Sequence, residues 1–195
     1  MNLTGRVAAF RLPVLCLLCV LPFFAQNPGA SSSTGESAAA LRLDVELDPT
    51  PYFEHGYSFH AGIGWSHFRV EGEVLKTDVP EWIHGNRGFN VQYGGAGAKF
   101  QYFFSSRQVG LFIGVRTEIT RESVKLPSAD LEAKPVRHDL GIDAGYRFSL
   151  GRHLYVTPWG GVDYTFDAHD LEFAGRTYRD ARFGVFAAVH LGYRF

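Results

Sequence analysis

The sequence is almost without sulfur. Of 195 residues only Met1, Cys16 and Cys19 carry it. Both cysteines sit in an apolar stretch near the N-terminus, so a C-x-x-C redox or metal site does not fit there. From residue 31 onward there is no cysteine and no methionine, which excludes disulfides and thiol catalysis from that part. Net charge is also nearly absent, with 19 basic and 20 acidic residues and a formal charge of -1. A nucleic-acid partner is therefore not expected, because it calls for a clear basic excess. The apolar run from Leu12 to Ala25 is shorter than the roughly 20 residues of a membrane-spanning helix. From Leu41 onward the i, i+3, i+4 spacing of an amphipathic helix is never sustained.

Glycine and aromatic residues are abundant instead. Glycine contributes 22 residues, against a usual share of about 7%. Aromatics make up 15% and hydrophobic residues 46%, which excludes an acidic disordered tail and points to β structure with tight turns. The length suits one domain.

Residues 1–30 read as a signal peptide. Arg6 and Arg11 form a basic start, the apolar run follows, and cleavage is expected near Ala25 or Ala30. Leu15 and Leu18 precede the two cysteines, where lipidation would require a small residue. Residues 31–40 read as a flexible small-residue linker. Removing residues 1–30 takes away two arginines and leaves 17 basic against 20 acidic residues.

From Leu41 to Phe195 apolar residues recur with period two, in eight segments. In the last, Phe183, Val185, Ala187, Val189, Leu191, Tyr193 and Phe195 share one face, against Arg182, Gly184, Phe186, Ala188, His190, Gly192 and Arg194. In the segment before it, Leu154, Val156, Val162, Tyr164 and Phe166 oppose Tyr155, Thr157, Trp159, Asp163 and Thr165, with a bulge or weakened pairing expected at Pro158. The other segments start near Leu41, Tyr57, Phe68, Asn90, Leu111 and Arg137. In Asn90–Phe104, Val91 and Tyr93 have the opposite parity to Ala96, Ala98 and Phe100, so a bulge at Gly94-Gly95 is expected. Short connections alternate with longer polar ones, as in an up-and-down antiparallel barrel with short turns at one end. The fold class is therefore all-β, an eight-stranded antiparallel up-and-down transmembrane β-barrel over residues 41–195. As bounded, the first three strands are slightly short for a bilayer crossing of about 9–11 residues.

Alternation alone does not say which face meets solvent. A soluble barrel keeps its apolar face inside, and an outer-membrane barrel inverts this. The export signal, the aromatics near strand ends (Tyr57, Trp65, Phe68, Phe104, Phe148, Phe166 and Phe195) and the apolar-aromatic ending all favour the inverted form. That ending, with Leu191, Tyr193 and a final Phe195, resembles the C-terminal signal of bacterial outer-membrane barrels. The chain from Leu41 resembles the small eight-stranded OmpA, OmpX and OmpW type. The resemblance implies a bacterial outer-membrane location, contact with outer-membrane lipid and lipopolysaccharide, and recognition of the last strand by the barrel assembly machinery. A monomer is expected.

Inverted, the barrel collects Arg42, Asp44, Glu46, Arg69, Glu71, Glu73, Lys99, Arg116, Glu118, Asp139, Asp143, Arg147, Asp163, His190 and Arg194 in its lumen. Eight strands leave a lumen that side chains just fill, so these read as an ion-pair network plugging it. Trp82 and Ile83, apolar in a polar loop, read as an anchor or cap at the barrel mouth. The main reading is a structural or surface-interaction barrel with a closed polar lumen. The alternatives are a lipid A-modifying enzyme or a narrow pore. A hydrolase needs a serine within reach of its histidine base. Ser58-Phe59-His60 has the reverse of the His-x-Ser order, and Ser66-His67 would point to opposite faces. His84, His138, His153 and His169 show no metal-ligand spacing, and no cofactor is expected.

Overall fold

The computed structural model describes residues 41–195; the expected signal peptide and linker lie outside the described residues. Eight strands form the wall: β1 (Arg42–Leu47), β2 (Tyr57–Trp65), β3 (Phe68–Val79), β4 (Asn90–Phe103), β5 (Gly110–Leu126), β7 (Val136–Leu150), β8 (Leu154–Thr165) and β11 (Phe183–Arg194). Each pairs antiparallel with its neighbour in the chain, and β1 pairs with β11 to close the cylinder. Three short strands belong to the loops: β6 (Leu131–Ala133), β9 (Leu171–Phe173) and β10 (Arg176–Tyr178).

The pairings set the tilt. A path of paired residues from Asp44 runs through Gly62, Glu71, Lys99, Arg116, Gly141, Asp163 and Gly184. Continued in the register of β11 against β1, it meets β1's line at position 54, ten residues from its start. Ten residues of stagger over eight strands tilts the strands by roughly 40°. The stagger is even, so inward and outward faces are kept around the whole circle.

The faces follow the alternation. Phe59, Ile63, Val70, Phe100, Ile113, Ile119, Leu140, Ile142, Val162 and Leu191 point outward and are exposed. Asp44, Glu46, Arg69, Glu71, Lys99 and Arg147 point inward and are buried. Outward aromatics flank the belt. At the turn end, Trp65 contacts Phe68, Tyr146 contacts Phe148, and Tyr193 contacts Phe195. At the loop end, Tyr57 meets Phe59 and Tyr164 meets Phe166 and Phe183.

The bulge expected at Gly94-Gly95 is absent. The register of β4 against both neighbours is continuous through Gly94 and Gly95. Val91 instead points inward and is buried with Phe89, Val124, Leu126, Phe173 and Tyr178 in an apolar core under the loops. At Pro158 the pairing to β11 runs on through Val189. The ladder to β7 lapses between Gly145↔Trp159 and Phe148↔Val156 and resumes in the same register, so the pairing is weakened without a bulge. Strands β3, β5 and β7 are longer than the sequence pattern suggests, with 12, 17 and 15 residues, because their ends rise beyond the apolar belt. Strand β1, with six, is the shortest of the wall.

The long loops are built, not slack. Thr50–Phe53 and Glu81–His84 each form one helical turn, the second closed by Gly85 at φ 70°. Asn86 ties two loops together: its Nδ2 donates to Arg179 O at 2.9 Å, and its Oδ1 accepts from Arg179 N at 2.8 Å.

Candidate functional site

The barrel interior carries most of the molecule's buried charge. Inward glycines create the room. A Cβ on Gly62 would collide with the Arg69 guanidinium, one on Gly64 with the Gln108 amide, and one on Gly192 with the Tyr155 ring. Part of the high glycine content therefore leaves space for long side chains across the lumen.

The charges form three tiers. In the first, toward the turn end, Arg69 lies between Asp44, Glu46 and Glu71, with Nη2 2.9 Å from Glu46. Glu46 also accepts from Arg147 Nη2 at 2.7 Å and from the Tyr155 hydroxyl at 2.9 Å, and lies 2.8 Å from His190 Nδ1. Lys99 Nζ sits 3.2 Å from Glu71 and 3.0 Å from Glu73, and 3.8 Å above the Trp159 ring. In the second, Arg116 joins Glu118 at 3.0 Å and Asp163. In the third, at the loop end, Arg137 joins Glu122 at 3.0 Å and Asp180 of the loop before β11.

The residues singled out from the sequence are distributed across these tiers. Arg69, Glu71, Glu73, Arg147 and His190 meet in the first, and Arg116, Glu118 and Asp163 in the second. Asp139 faces inward and bonds the Thr165 hydroxyl at 2.5 Å. Asp143 is buried, and neither carboxylate oxygen has a hydrogen-bond partner among the described residues. Arg194 joins no ion pair among the described residues; it donates to the turn carbonyls of Arg107 at 3.1 Å and Gln108 at 3.3 Å. Arg42 does likewise, donating to Ser106 O at 2.6 Å. These two arginines and the wholly buried Gln108, whose Nε2 donates to Phe68 O at 2.8 Å, close the turn end.

Of the loop pair, Trp82 is 63% exposed, whereas Ile83 lines a cavity of about 380 Å³ that descends from the mouth. The carboxyl-terminal residues Leu191 and Tyr193 pair with β8 and β1, and Phe195 N donates to Leu43 O at 3.0 Å.

Parity places Ser58 and His60 on the same inward face of β2, and order along the chain does not matter to their meeting. Carboxylates lie on the Nδ1 side of His60, Glu71 at 2.9 Å and Glu73 at 3.1 Å. On the other side of the ring, Nε2 lies 2.6 Å from Ser58 Oγ. Ser58, His60 and Glu73 line the mouth cavity, and Glu71, which bonds His60, is buried. Ser58, His60 and Glu71 are the residue types of a nucleophile, base and acid. At Ser58 the backbone of β2 is paired with Leu75 of β3 alone, since the pairing with β1 begins at His60. His60, Glu71 and His190 also lie close enough to share an ion, but Lys99 and Arg69 already neutralise Glu71.

The sequence pattern had no place for the Arg137–Glu122–Asp180 tier. Parity puts Arg137 and Glu122 inside, but nothing in the pattern brings Asp180 down from its loop. Burial raises the Asp180 carboxyl to about 6 against the pull of Arg137, with Glu122 adding to the rise.

No family model matches the chain, and no curated protein sequence does. Among solved structures, a major outer membrane protein from Thermus thermophilus is similar, with a TM-score of 0.52 and 14% identity over 80% of this chain and 100% of that one. The N-terminal β-barrel domain of Pseudomonas aeruginosa OprF is 13% identical over 80% of this chain and 96% of that domain, with a TM-score of 0.43. With its closed circle of eight antiparallel strands, apolar outside and charged inside, the chain has the fold of the small outer-membrane β-barrels.

Proposed function

We propose that the protein is a structural or surface-interaction barrel of the bacterial outer membrane, exported by residues 1–30, with its loop end outside the cell and its turn end in the periplasm. One observation carries this reading: the apolar side chains are on the outside of the wall and the ion pairs on the inside. In water that distribution would expose a continuous apolar belt, and in a bilayer it is the stable one. The lumen supports a non-conducting barrel, because Gln108, Arg42 and Arg194 close one end and the first charge tier fills the space above them. Leu191, Tyr193 and Phe195 serve as the strand read by the assembly machinery. Lipid and lipopolysaccharide surround a monomer. Ile83 caps the mouth, and Trp82 is the exposed apolar contact of its loop. The lipid A-modifying alternative is disfavoured because Ser58 and His60 face the lumen, while the acyl chains of such a substrate lie outside the wall.

The test is fractionation and conductance of the full chain. Recovery with outer membranes, heat-modifiable migration on a semi-native gel and no steady current in planar bilayers are expected. Recovery as a soluble periplasmic protein would overturn the reading, and a stable single-channel current would overturn the sealed lumen.

A further inference from the structure

Among the described residues, only three lysines or arginines point outward from the eight wall strands: Lys76, Arg121 and Lys125. All three are at the loop end of the adjoining strands β3 to β5. Lys76 pairs with Gly94, and Gly94 with Arg121, so two cations flank a position without a side chain in one row. A Cβ on Gly94 would lie 3.2 Å from Lys76 Cβ and Cγ, so the gap between the cations depends on the glycine. Neither Lys76 nor Arg121 forms an ion pair among the described residues; Glu132 reaches Lys125 at 3.7 Å and Lys134 at 3.3 Å. The nearest outward acid on β3, Asp78, accepts from Gln92 at 2.7 Å. These side chains head a surface groove of about 780 Å³.

Below the cations the wall surface becomes largely apolar. The next row is Val74, Ala96 and Ile119, followed by Gly72, Ala98 and Thr117, then Val70, Phe100 and Val115. Along β4 the outward residues are thus Gly94, Ala96 and Ala98, a shallow furrow between valines and isoleucine, stopped by Phe100. From Gly94 to Phe100 it runs about 20 Å along the strand. At a tilt of roughly 40° that is about 15 Å of depth, half of the ~30 Å hydrocarbon core and so one leaflet.

We propose that this furrow binds a phosphate-bearing lipid of the outer leaflet, its phosphate between Lys76 and Arg121 over Gly94 and one acyl chain along Ala96 and Ala98. The proposal rests on the outer-membrane reading above. A phosphate monoester offers three acceptor oxygens and up to two charges, which suits an arginine fork beside a lysine. At the headgroup boundary such contacts are screened less than in bulk water. A lipid without phosphate would leave both cations without a partner.

The test is lipid binding by the full chain in detergent micelles, read by native mass spectrometry, with bis-phosphorylated lipid A, its dephosphorylated form and inorganic phosphate as probes. Preferential retention of bis-phosphorylated lipid A is expected, with no effect of millimolar inorganic phosphate. The double variant Lys76→Gln/Arg121→Gln should lower retention at least tenfold, and Gly94→Leu should lower it by filling the gap. Lys125→Gln should lower it less. Heat-modifiable migration of each variant separates loss of binding from loss of fold. Equal retention of the dephosphorylated lipid, or retention by the double variant equal to the parent's, would overturn the proposal while leaving the membrane reading standing. A chain that does not partition into membranes would overturn that reading instead.

Discussion

Glu46 should be the most costly single carboxylate to remove. It lies on β1, the shortest wall strand, which meets β11 through only four registered pairs, Asp44↔Arg194 to Leu47↔Leu191. Its two oxygens serve Arg69 at 2.9 Å, Arg147 at 2.7 Å, the Tyr155 hydroxyl at 2.9 Å and His190 at 2.8 Å. Those partners come from β3, β7, β8 and β11, so one side chain ties β1 to four other strands. Glu46→Ala strands Arg147, which keeps only a 3.7 Å approach to Asp44. Breaking a buried pair on one side costs about 3–5 kcal/mol, and an unpartnered buried hydroxyl adds about 1–3 kcal/mol. We expect a loss of about 4–6 kcal/mol, read from guanidinium unfolding of the barrel in lipid vesicles followed by tryptophan fluorescence. Asp139→Asn is the control: the same lumen and the same loss of charge, but one hydroxyl partner, and a cost of about 1 kcal/mol. Adding Arg147→Met to Glu46→Ala should recover about 2 kcal/mol, because the cation without its carboxylate is then gone. A Glu46→Ala cost below about 1 kcal/mol, or a double variant no better than the single one, would refute the claim that this carboxylate holds the seam.

Leu140→Arg or Ile142→Arg, on the outward face, should cost about 2–4 kcal/mol in lipid if near the midplane, measured by the same unfolding assay. Gly114→Ala, on the inward face, should act through collision with the Asp143 carboxylate and destabilise equally in micelles and vesicles. Burial raises Asp180 from 3.8 to about 6, so the folded loop binds its proton more tightly than the unfolded chain; the stability it contributes is full below about pH 4 and lost as pH rises through about 6. Amides of the β9–β10 hairpin, corrected for intrinsic rate, should exchange faster at about pH 7 than at about pH 5, and Asp180→Asn should abolish the difference. Deleting Phe195, 73% exposed and bonded through one backbone N–H to Leu43, should cost about 1 kcal/mol in refolding from denaturant yet sharply lower outer-membrane levels in cells; unchanged cellular levels would refute its role in assembly.

Period-two alternation made the wall legible, because an eight-stranded sheet with lipid on one side and ion pairs on the other writes its two faces into every strand. It misled where the environment changed along a strand. Val91 is apolar with inward parity, and a bulge at Gly94-Gly95 is the way to turn it toward lipid. At the height of Val91, however, the partners are loop residues, Phe173 and Tyr178, and an inward apolar side chain is the stable one. The pairing of charges was not legible at all. Alternation places Arg69 and Glu46 in the lumen, but which of them meet depends on the ten-residue stagger, a property of all eight pairings together. The order of Ser58 and His60 along the chain is no obstacle to their meeting, because two residues at i and i+2 on one strand face are neighbours in either order.

The molecule therefore has two cores built on opposite rules. Between the aromatic girdles the interior is held by charge pairs around an aromatic cluster of Phe103, Phe112 and Trp159, with Arg147 stacked on Phe103 at 4.7 Å and on Tyr155 at 4.2 Å, and Arg116 on Phe186 at 4.1 Å. Above the belt, Phe89, Val91, Val124, Leu126, Phe173 and Tyr178 form an ordinary apolar core, pinned by Asn86 and by the Arg137–Asp180 pair. The two share no residue. Displacing the β9–β10 hairpin weakens the apolar core, whereas losing Glu46 weakens the charged one. Hydrogen exchange should then separate a loop-cap opening from barrel unfolding, with amides of β9 and β10 exchanging at a lower free energy than those of β4 and β5. A single cooperative transition for both sets would mean that the long ends of β4 and β5 transmit the loss of the cap into the wall.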